Sequence, residues 1–424
     1  MGLSLSLGTC REAKEVAMRL ALRTVGVVAG ILIVWNTSGA SAQDWPQWRG
    51  PHRDGKTAGF VAPQAWPKTL ARKWRTTVGL GDATPALVAE KLYVFTRQGD
   101  DEVIQCLSAT DGNRIWETKY PAEAVKGAAA SHPGPRSSPA VADGKVVTLG
   151  VSGVVSCLDA GTGKLLWSNS EYKTVPQFYT ATSPILVDGL AIVHLGGKGQ
   201  GALVAFDLAS GTAKWKWTGD APAYASPVLM TVEGTKQLVQ QAEKNLVGIS
   251  LTDGKLLWKI ATPTQGRVYN SATPIVDGQT VIYTGQGAGT KAVKIEKQGD
   301  AFAVKQLWSN DNLGTGYNTP VLHNGLLFGM SDRTLFFCLD AQTGKELWTD
   351  SAKRDRFGSI VDAGSVLLAL PEKSGLIVFK PSREKYEQLA QIPVSDGPIY
   401  AHPVVAGKRI FVKDRDAVTL WMVE

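Results

Sequence analysis

Cysteine is scarce: four residues in 424, no two adjacent and none in a C-x-x-C pair, while the five histidines are scattered. That pattern excludes the usual zinc spacings and the C-x-x-C-H attachment of a covalent haem. Charge is scarce too, at 20% Asp, Glu, Lys and Arg, and no basic run is long or interleaved with aromatics. A formal net charge of +7 so distributed leaves no footprint for nucleic acid. The longest apolar run, the 11 residues from Val25 to Trp35, is too short to cross a bilayer about 30 Å thick. Nowhere is an amphipathic period of 3.6 residues sustained, so helices are not expected to carry the core.

The apolar run belongs to a secretory signal. Arg19 and Arg23 form its positive end and Ala40-Ser41-Ala42 its small-residue cleavage site, so residues 1–42 read as a signal peptide cleaved after Ala42. Residues 1–17 have no place in such a signal, and a start at Met18 makes it conventional. Leu7-Gly8-Thr9-Cys10 precedes the apolar run and is not read as a lipidation box. Residues 1–42 carry four basic and two acidic groups, leaving +5 on the secreted chain, which keeps no membrane span. The expected location is periplasmic or secreted. Cys10 leaves with the signal, and Cys106, Cys157 and Cys338 occupy equivalent places in a repeat (QCLSA, SCLDA, FCLDA). Equivalent positions lie too far apart to bridge, so they read as small buried hydrophobes.

Tryptophan is in excess, with 13 Trp against 11 Phe and 10 Tyr. A repeat accounts for it. Ser/Thr-Pro followed by an apolar run recurs at Pro85, Pro139, Pro184, Pro227, Pro274 and Pro320, spaced by 54, 45, 43, 47 and 46 residues. Degenerate copies start at Gly358 and at Pro403. Within the units a glycine precedes a tryptophan by four: Gly112 and Trp116, Gly163 and Trp167, Gly211 and Trp215, Gly254 and Trp258, Gly344 and Trp348. Trp308 keeps the spacing between units, and Trp74 stands one unit earlier.

Each unit reads as four short strands. In AVADGKVVTLGVSGVVSCLDAGTGKLLWSN the turns fall at Asp143-Gly144, Ser152-Gly153 and Gly161 to Gly163, and Asp-Gly between alternating apolar runs is a strong hairpin signal. Eight such units describe an all-β, eight-bladed β-propeller of four-stranded antiparallel blades over residues 71–424, preceded by a lead at 43–70. The last unit supplies only three strands, and Arg72 to Gly79 has a fourth strand's character without the preceding three. Pairing them closes the ring and removes the open edge. Trp74, Trp116, Trp167, Trp215, Trp258, Trp308 and Trp348 then dock each blade on the next. GGKGQG from Gly196 and TGQGAGTK from Thr284 have no helix after them and read as hairpin turns, not phosphate loops.

CLDAGTGKLLW from Cys157 and CLDAQTGKELW from Cys338 resemble the tryptophan-docking motif of pyrroloquinoline-quinone (PQQ) repeat propellers, in some seven of eight units. Two groups share that motif: quinoprotein alcohol and sugar dehydrogenases, and the non-catalytic propeller lipoprotein of the outer-membrane assembly machinery. DWPQWRGPHRDG, Asp44 to Gly55, with GPRSSP at Gly134, looks like secreted PQQ-like propeller proteins of environmental bacteria. The dehydrogenase resemblance implies a vicinal Cys-Cys pair under the quinone and a Ca²⁺ held by Glu, Asn and Asp. The cysteine pair is absent here and the Ca²⁺ set is not recognisable.

A site is expected where the repeats differ, just before the strand-opening motifs and hence at one mouth of the channel. Asp82, Arg136, Tyr224, Tyr317 and Tyr400 stand three before a proline, with Asn270 and Asn318 beside that phase and Arg356 near the degenerate seventh motif. Tyr and Arg with one Asp suit a polar or anionic planar ligand. The connection 117–136, with His132, is the longest and is a further candidate. These features describe a monomeric, non-catalytic binding or scaffold protein for an envelope or secreted protein, with no firm cofactor. The alternative is a PQQ- and Ca²⁺-dependent dehydrogenase of alcohols or sugars built around Asp82 and Arg136.

Overall fold

A computed structural model describes residues 1–2 and 44–424, apart from 198, 265–268 and 374; the signal segment, Cys10 and the Ala42 cleavage point lie outside the described residues. The propeller lies within the unit Ala40–Glu424. The described residues form 32 β-strands and one 3-10 turn at Gly127–Ala129, and no helix among them is long and apolar enough to cross a membrane.

The strands pair into eight four-stranded antiparallel sheets, an eight-bladed β-propeller. Ala86–Val88, Lys91–Gln98, Asp101–Ser108 and Arg114–Pro121 make blade 1. Blades 2 to 7 occupy 140–169, 185–217, 228–261, 275–310, 321–349 and 358–392. Blade 8 joins Val404–Ala406, Arg409–Lys413 and Ala417–Met422 to the N-terminal strand Ala71–Thr77, which pairs antiparallel with Ala417–Met422. The ring is therefore closed as the sequence implies. The Asp143-Gly144 turn has positive φ at both residues, 50° and 68°, as a two-residue hairpin requires. One boundary differs from the sequence reading: 117–121 belong to a strand, so the long connection is 122–139.

Two devices pin the seams between blades, and most seams carry both. On the outside, a tryptophan indole N–H reaches a backbone carbonyl of the next blade: Trp74 to Ala109, Trp116 to Ala160, Trp167 to Leu208, Trp215 to Leu251, Trp308 to Ala341 and Trp348 to Ser382, at 2.9–3.2 Å. For Trp74, Trp116, Trp167, Trp215 and Trp308 the motif glycine of the receiving blade is the seat. A Cβ on Gly163, whose φ is +74°, would lie 2.4 Å from the Trp116 ring, so both backbone and space demand glycine there. In blades 1 to 6 the residue paired with the tryptophan on the neighbouring strand is small: Cys106, Cys157, Ala205, Gly248, Ala292 and Cys338. That is why the buried cysteines recur at one phase. Trp258 departs from the pattern: its indole donates to Gln237 Oε1 of its own blade at 2.6 Å and shares a buried cluster with Val281 and Val293 of blade 5.

On the inside runs a belt of hydroxyls. The backbone N–H of the residue before each strand-opening proline donates to the hydroxyl of its counterpart in the next blade: His402 to Thr84, Thr84 to Ser138, Ser138 to Ser183, Ser183 to Ser226, Ser226 to Thr273 and Thr273 to Thr319, at 2.9–3.2 Å. These residues are buried, so each N–H would otherwise be an unpaired donor. The Ser/Thr of the repeat is thus an inter-blade acceptor. The belt stops at degenerate blade 7, where the Ser359 hydroxyl has no partner. Other contacts hold that blade: Phe336 of blade 6 stacks on Phe379 with centroids 5.1 Å apart, and Trp421 of blade 8 donates to Val394 O at 3.1 Å.

The lead enters the ring. Trp45 exchanges two backbone hydrogen bonds with Leu87 of blade 1, and Pro46 O accepts from Val141 of blade 2. Arg53 donates to Ser183 O and Pro184 O, Trp48 Nε1 to Thr273 Oγ1, and Arg49 to Thr319 O and Pro320 O. Gly55 and Thr57 bond the backbone of Asp362 in blade 7, and the Thr57 hydroxyl reaches Val405 O in blade 8. Trp45 and Arg49 are 0% and Arg53 3% exposed. With these side chains buried and its bonds spread around the ring, 44–57 fills the channel on the strand side of the hydroxyl belt. Burial lowers the Arg53 guanidinium to about 9 and that of Arg49 to about 10, so both stay cationic at neutral pH with carbonyls as their main partners.

Two outcomes are expected. Deleting 44–79 removes both the fill and the closing strand, and thermal unfolding should show a lower midpoint with aggregation through the freed Ala417–Met422 edge. Ser183→Ala leaves the buried Ser138 N–H unpaired and should cost about 1–3 kcal/mol in chemical denaturation, whereas Ser183→Thr should cost much less.

Candidate functional site

On the other side of the belt, the connections between blades converge. They place Asp82, Arg136, Tyr224, Tyr317, Arg356 and Tyr400 at this end, together with aromatics that the phase of three before proline does not single out. His132 Nδ1 lies 2.7 Å from Asp82 Oδ2, and its ring meets Tyr400 edge-on at 4.7 Å. Tyr400 packs on Phe357 at 5.3 Å, and Phe357 on Tyr317 at 4.8 Å. The Arg356 guanidinium lies over the Tyr317 ring, 4.7 Å from its centroid, and donates to its hydroxyl at 2.9 Å. A second arc joins Phe178, Tyr224 and Tyr269 at centroid distances of 5.3–6.3 Å. All these aromatics are half-buried.

Arg136 stands between the arcs. It donates to His132 O at 2.8 Å, while its Nη1 is buried without a partner. Burial lowers its pKa, and the charge of Asp82 acts in the opposite direction. Burial pushes the Tyr224 phenol up to about 12, and burial together with the hydrogen bond to Glu372 does the same to Tyr400. Both are neutral donors and acceptors at physiological pH.

Asn270 and Asn318 turn the other way. The Asn270 amide donates to Ala242 O, Glu243 O and Thr262 O, and Asn318 is bonded through both amide atoms to Met330. Each is buried and satisfies nearby backbone groups. Sequence reasoning missed Phe178, Tyr179, Tyr269 and Phe357. A signal existed: Tyr179 and Tyr269 each stand five before a motif proline, and Phe357 stands three before Ile360, which replaces the seventh.

The segment carrying Asp82 is held from below by Lys413. Its buried ammonium donates to Gly79 O, Gly81 O, Asp414 O and Arg415 O at 2.7–3.2 Å, and burial lowers its pKa to about 8.

Comparison with known proteins fits this architecture. A family model described as "Outer membrane protein assembly factor BamB" matches residues 64–226 and 99–350. The chain belongs to this family. The BamB protein of Burkholderia pseudomallei (strain K96243) is 25% identical over 356 residues, covering 81% of this chain and 85% of that one. The structure of BamB from Moraxella catarrhalis superposes with a TM-score of 0.63 at 15% identity, over 84% of this chain and 98% of that one, a likeness of fold. Quinohemoprotein alcohol dehydrogenase ADH-IIG of Pseudomonas putida is 28% identical over 140 residues, covering 32% of this chain and only 19% of that protein.

The donor set does not fit a Ca²⁺–quinone pair. A hard cation needs several oxygens from carboxylates and carbonyls, and among the described residues no group of three or more His, Cys, Asp and Glu side chains converges. Asp82 spends an oxygen on His132. Cys106, Cys157 and Cys338 are buried in three different blades, away from the mouth.

Lys413 gives a pH prediction. Its folded pKa of about 8 lies below its ordinary 10.5, so between these values the unfolded chain binds more protons and stability should rise with pH. Denaturation at pH 8 and pH 9.5 should show that rise in the wild type, by up to about 1.4 kcal/mol per pH unit. In Lys413→Met the rise should be reduced.

Proposed function

We propose that the chain is a periplasmic or secreted propeller that performs no chemistry and serves as a binding scaffold for an envelope protein. The observation that carries this reading is the match to an outer-membrane assembly factor along most of both chains. The donor set at the mouth, which does not suit a quinone and its cation, points the same way. The outermost strands supply surfaces a partner could use, since each leaves one edge of backbone unpaired. Ile115, Leu165, Leu166, Leu256 and Leu307 on those strands are exposed apolar side chains, the chemistry that adds an extended segment of another protein. The signal expected over residues 1–42, with cleavage after Ala42, supports export, and the ring closes without a strand from a second copy, which supports a monomer.

One pair of measurements decides between the two readings. The purified chain incubated with PQQ and Ca²⁺ should show no stoichiometric quinone absorbance and no dye reduction with alcohols or sugars. A photo-crosslinker at Leu166 or Leu307, in cells, should form a discrete adduct with an envelope protein. Quinone binding with turnover would replace this reading by the dehydrogenase one.

A further inference from the structure

The mouth carries a feature the scaffold reading does not use. Seven half-buried aromatic rings come from six consecutive inter-blade connections: Phe178 and Tyr179, Tyr224, Tyr269, Tyr317, Phe357 and Tyr400. The remaining connections bring His132, Asp82 and Arg136, which completes a collar around one end of the channel. Beneath it the channel is filled by 44–57, so the collar opens to one side only. Two charged side chains there keep a buried polar atom without a partner, Arg136 Nη1 and Glu243 Oε2. Such atoms are costly unless something pairs with them.

The composition of the collar selects among ligands. Asp82 acts on Arg136, Glu243 on Tyr224, and Glu372 and Arg415 on Tyr400, while Lys413 is spent on four carbonyls. Charges of both signs are therefore mixed around the ring, which favours neither a polyanion nor a cation. What the collar offers is aromatic surface, phenol hydroxyls and forked guanidinium donors together. A pyranose matches that mixture: its C–H face packs on an aromatic ring, while its equatorial hydroxyls need donors and acceptors beside the ring. We propose that the mouth is a binding site for a neutral oligosaccharide, with Tyr224, Tyr317 and Tyr400 as stacking platforms and Arg136, Arg356 and Asp82 as hydroxyl partners. The site does not depend on the scaffold reading, because a protein docked on the outer strands leaves the mouth free.

Calorimetric titration of the intact mature chain with maltohexaose, cellohexaose and chitohexaose, each up to about 10 mM, tests it. At least one should bind, and Tyr317→Ala and Tyr400→Ala should each weaken that binding at least about tenfold. Tyr400→Phe, which keeps the ring and removes only the hydroxyl bond to Glu372, should lose less, and Tyr172→Ala, outside the collar, should bind as wild type. Unchanged melting of the variants separates lost binding from lost folding; if Tyr400→Ala melts early, Tyr317→Ala and Tyr400→Phe carry the test. Absence of binding for all three sugars, or binding insensitive to the collar substitutions, overturns the proposal.

Discussion

The rest of the structure depends on how eight separately hydrogen-bonded sheets are kept in one ring. Among the described residues no backbone ladder crosses a seam, so the junctions are made by side chains and single backbone donors. The inner solution is a hydroxyl from one blade capping a buried N–H of its neighbour. The outer one is an indole that lies on the next blade's glycine turn and donates to its carbonyl. Both devices point in the same rotational direction, so blades 1 to 6 each give to the next blade or receive from the one before. The arrangement tolerates one weak unit only if something else spans it. Blade 7 is that unit, and Asp362 within it is bonded to the inserted lead.

Much of this was legible because the repeat writes its docking chemistry at a fixed phase. Trp167 and Gly163 announce themselves by spacing, and the three-stranded last unit announces the missing strand. What the sequence could not show is which partner each motif serves. Gly163 looks like a turn residue of its own blade, yet its close contact is with Trp116 of the preceding one. Ser183 looks like part of a strand start, whereas its hydroxyl belongs to Ser138. Cys157 reads correctly as a small buried residue, but the reason, an indole on the paired strand, needs the register. The lead was hardest, because Arg49 and Arg53 look like surface charges in sequence and their carbonyl partners lie more than a hundred residues away.

The mouth was legible in part. Variation at one repeat phase found Asp82, Arg136 and the tyrosines, but phase alone cannot tell a side chain facing the channel from one turned into its blade, as Asn270 and Asn318 are. The hydroxyl belt also divides the channel by role. On its strand side the lead binds the blades together; on the other side lie the variable residues. The seam contacts are thus concentrated in what the repeats share, and the polar and aromatic side chains of the mouth in what they do not, and one propeller architecture can serve unrelated activities in this way.

The central claim is that seams and inserted lead form one cooperative unit. Native-state hydrogen exchange of the backbone amides of Trp45, Leu87, Ser138, Ser183, Ser226 and Thr273 tests it most directly. The account predicts that all six exchange only through global unfolding, with one shared opening free energy. Fast exchange at Trp45 and Leu87 while the belt amides stay protected would contradict it, because the lead would then be an appendage rather than part of the ring.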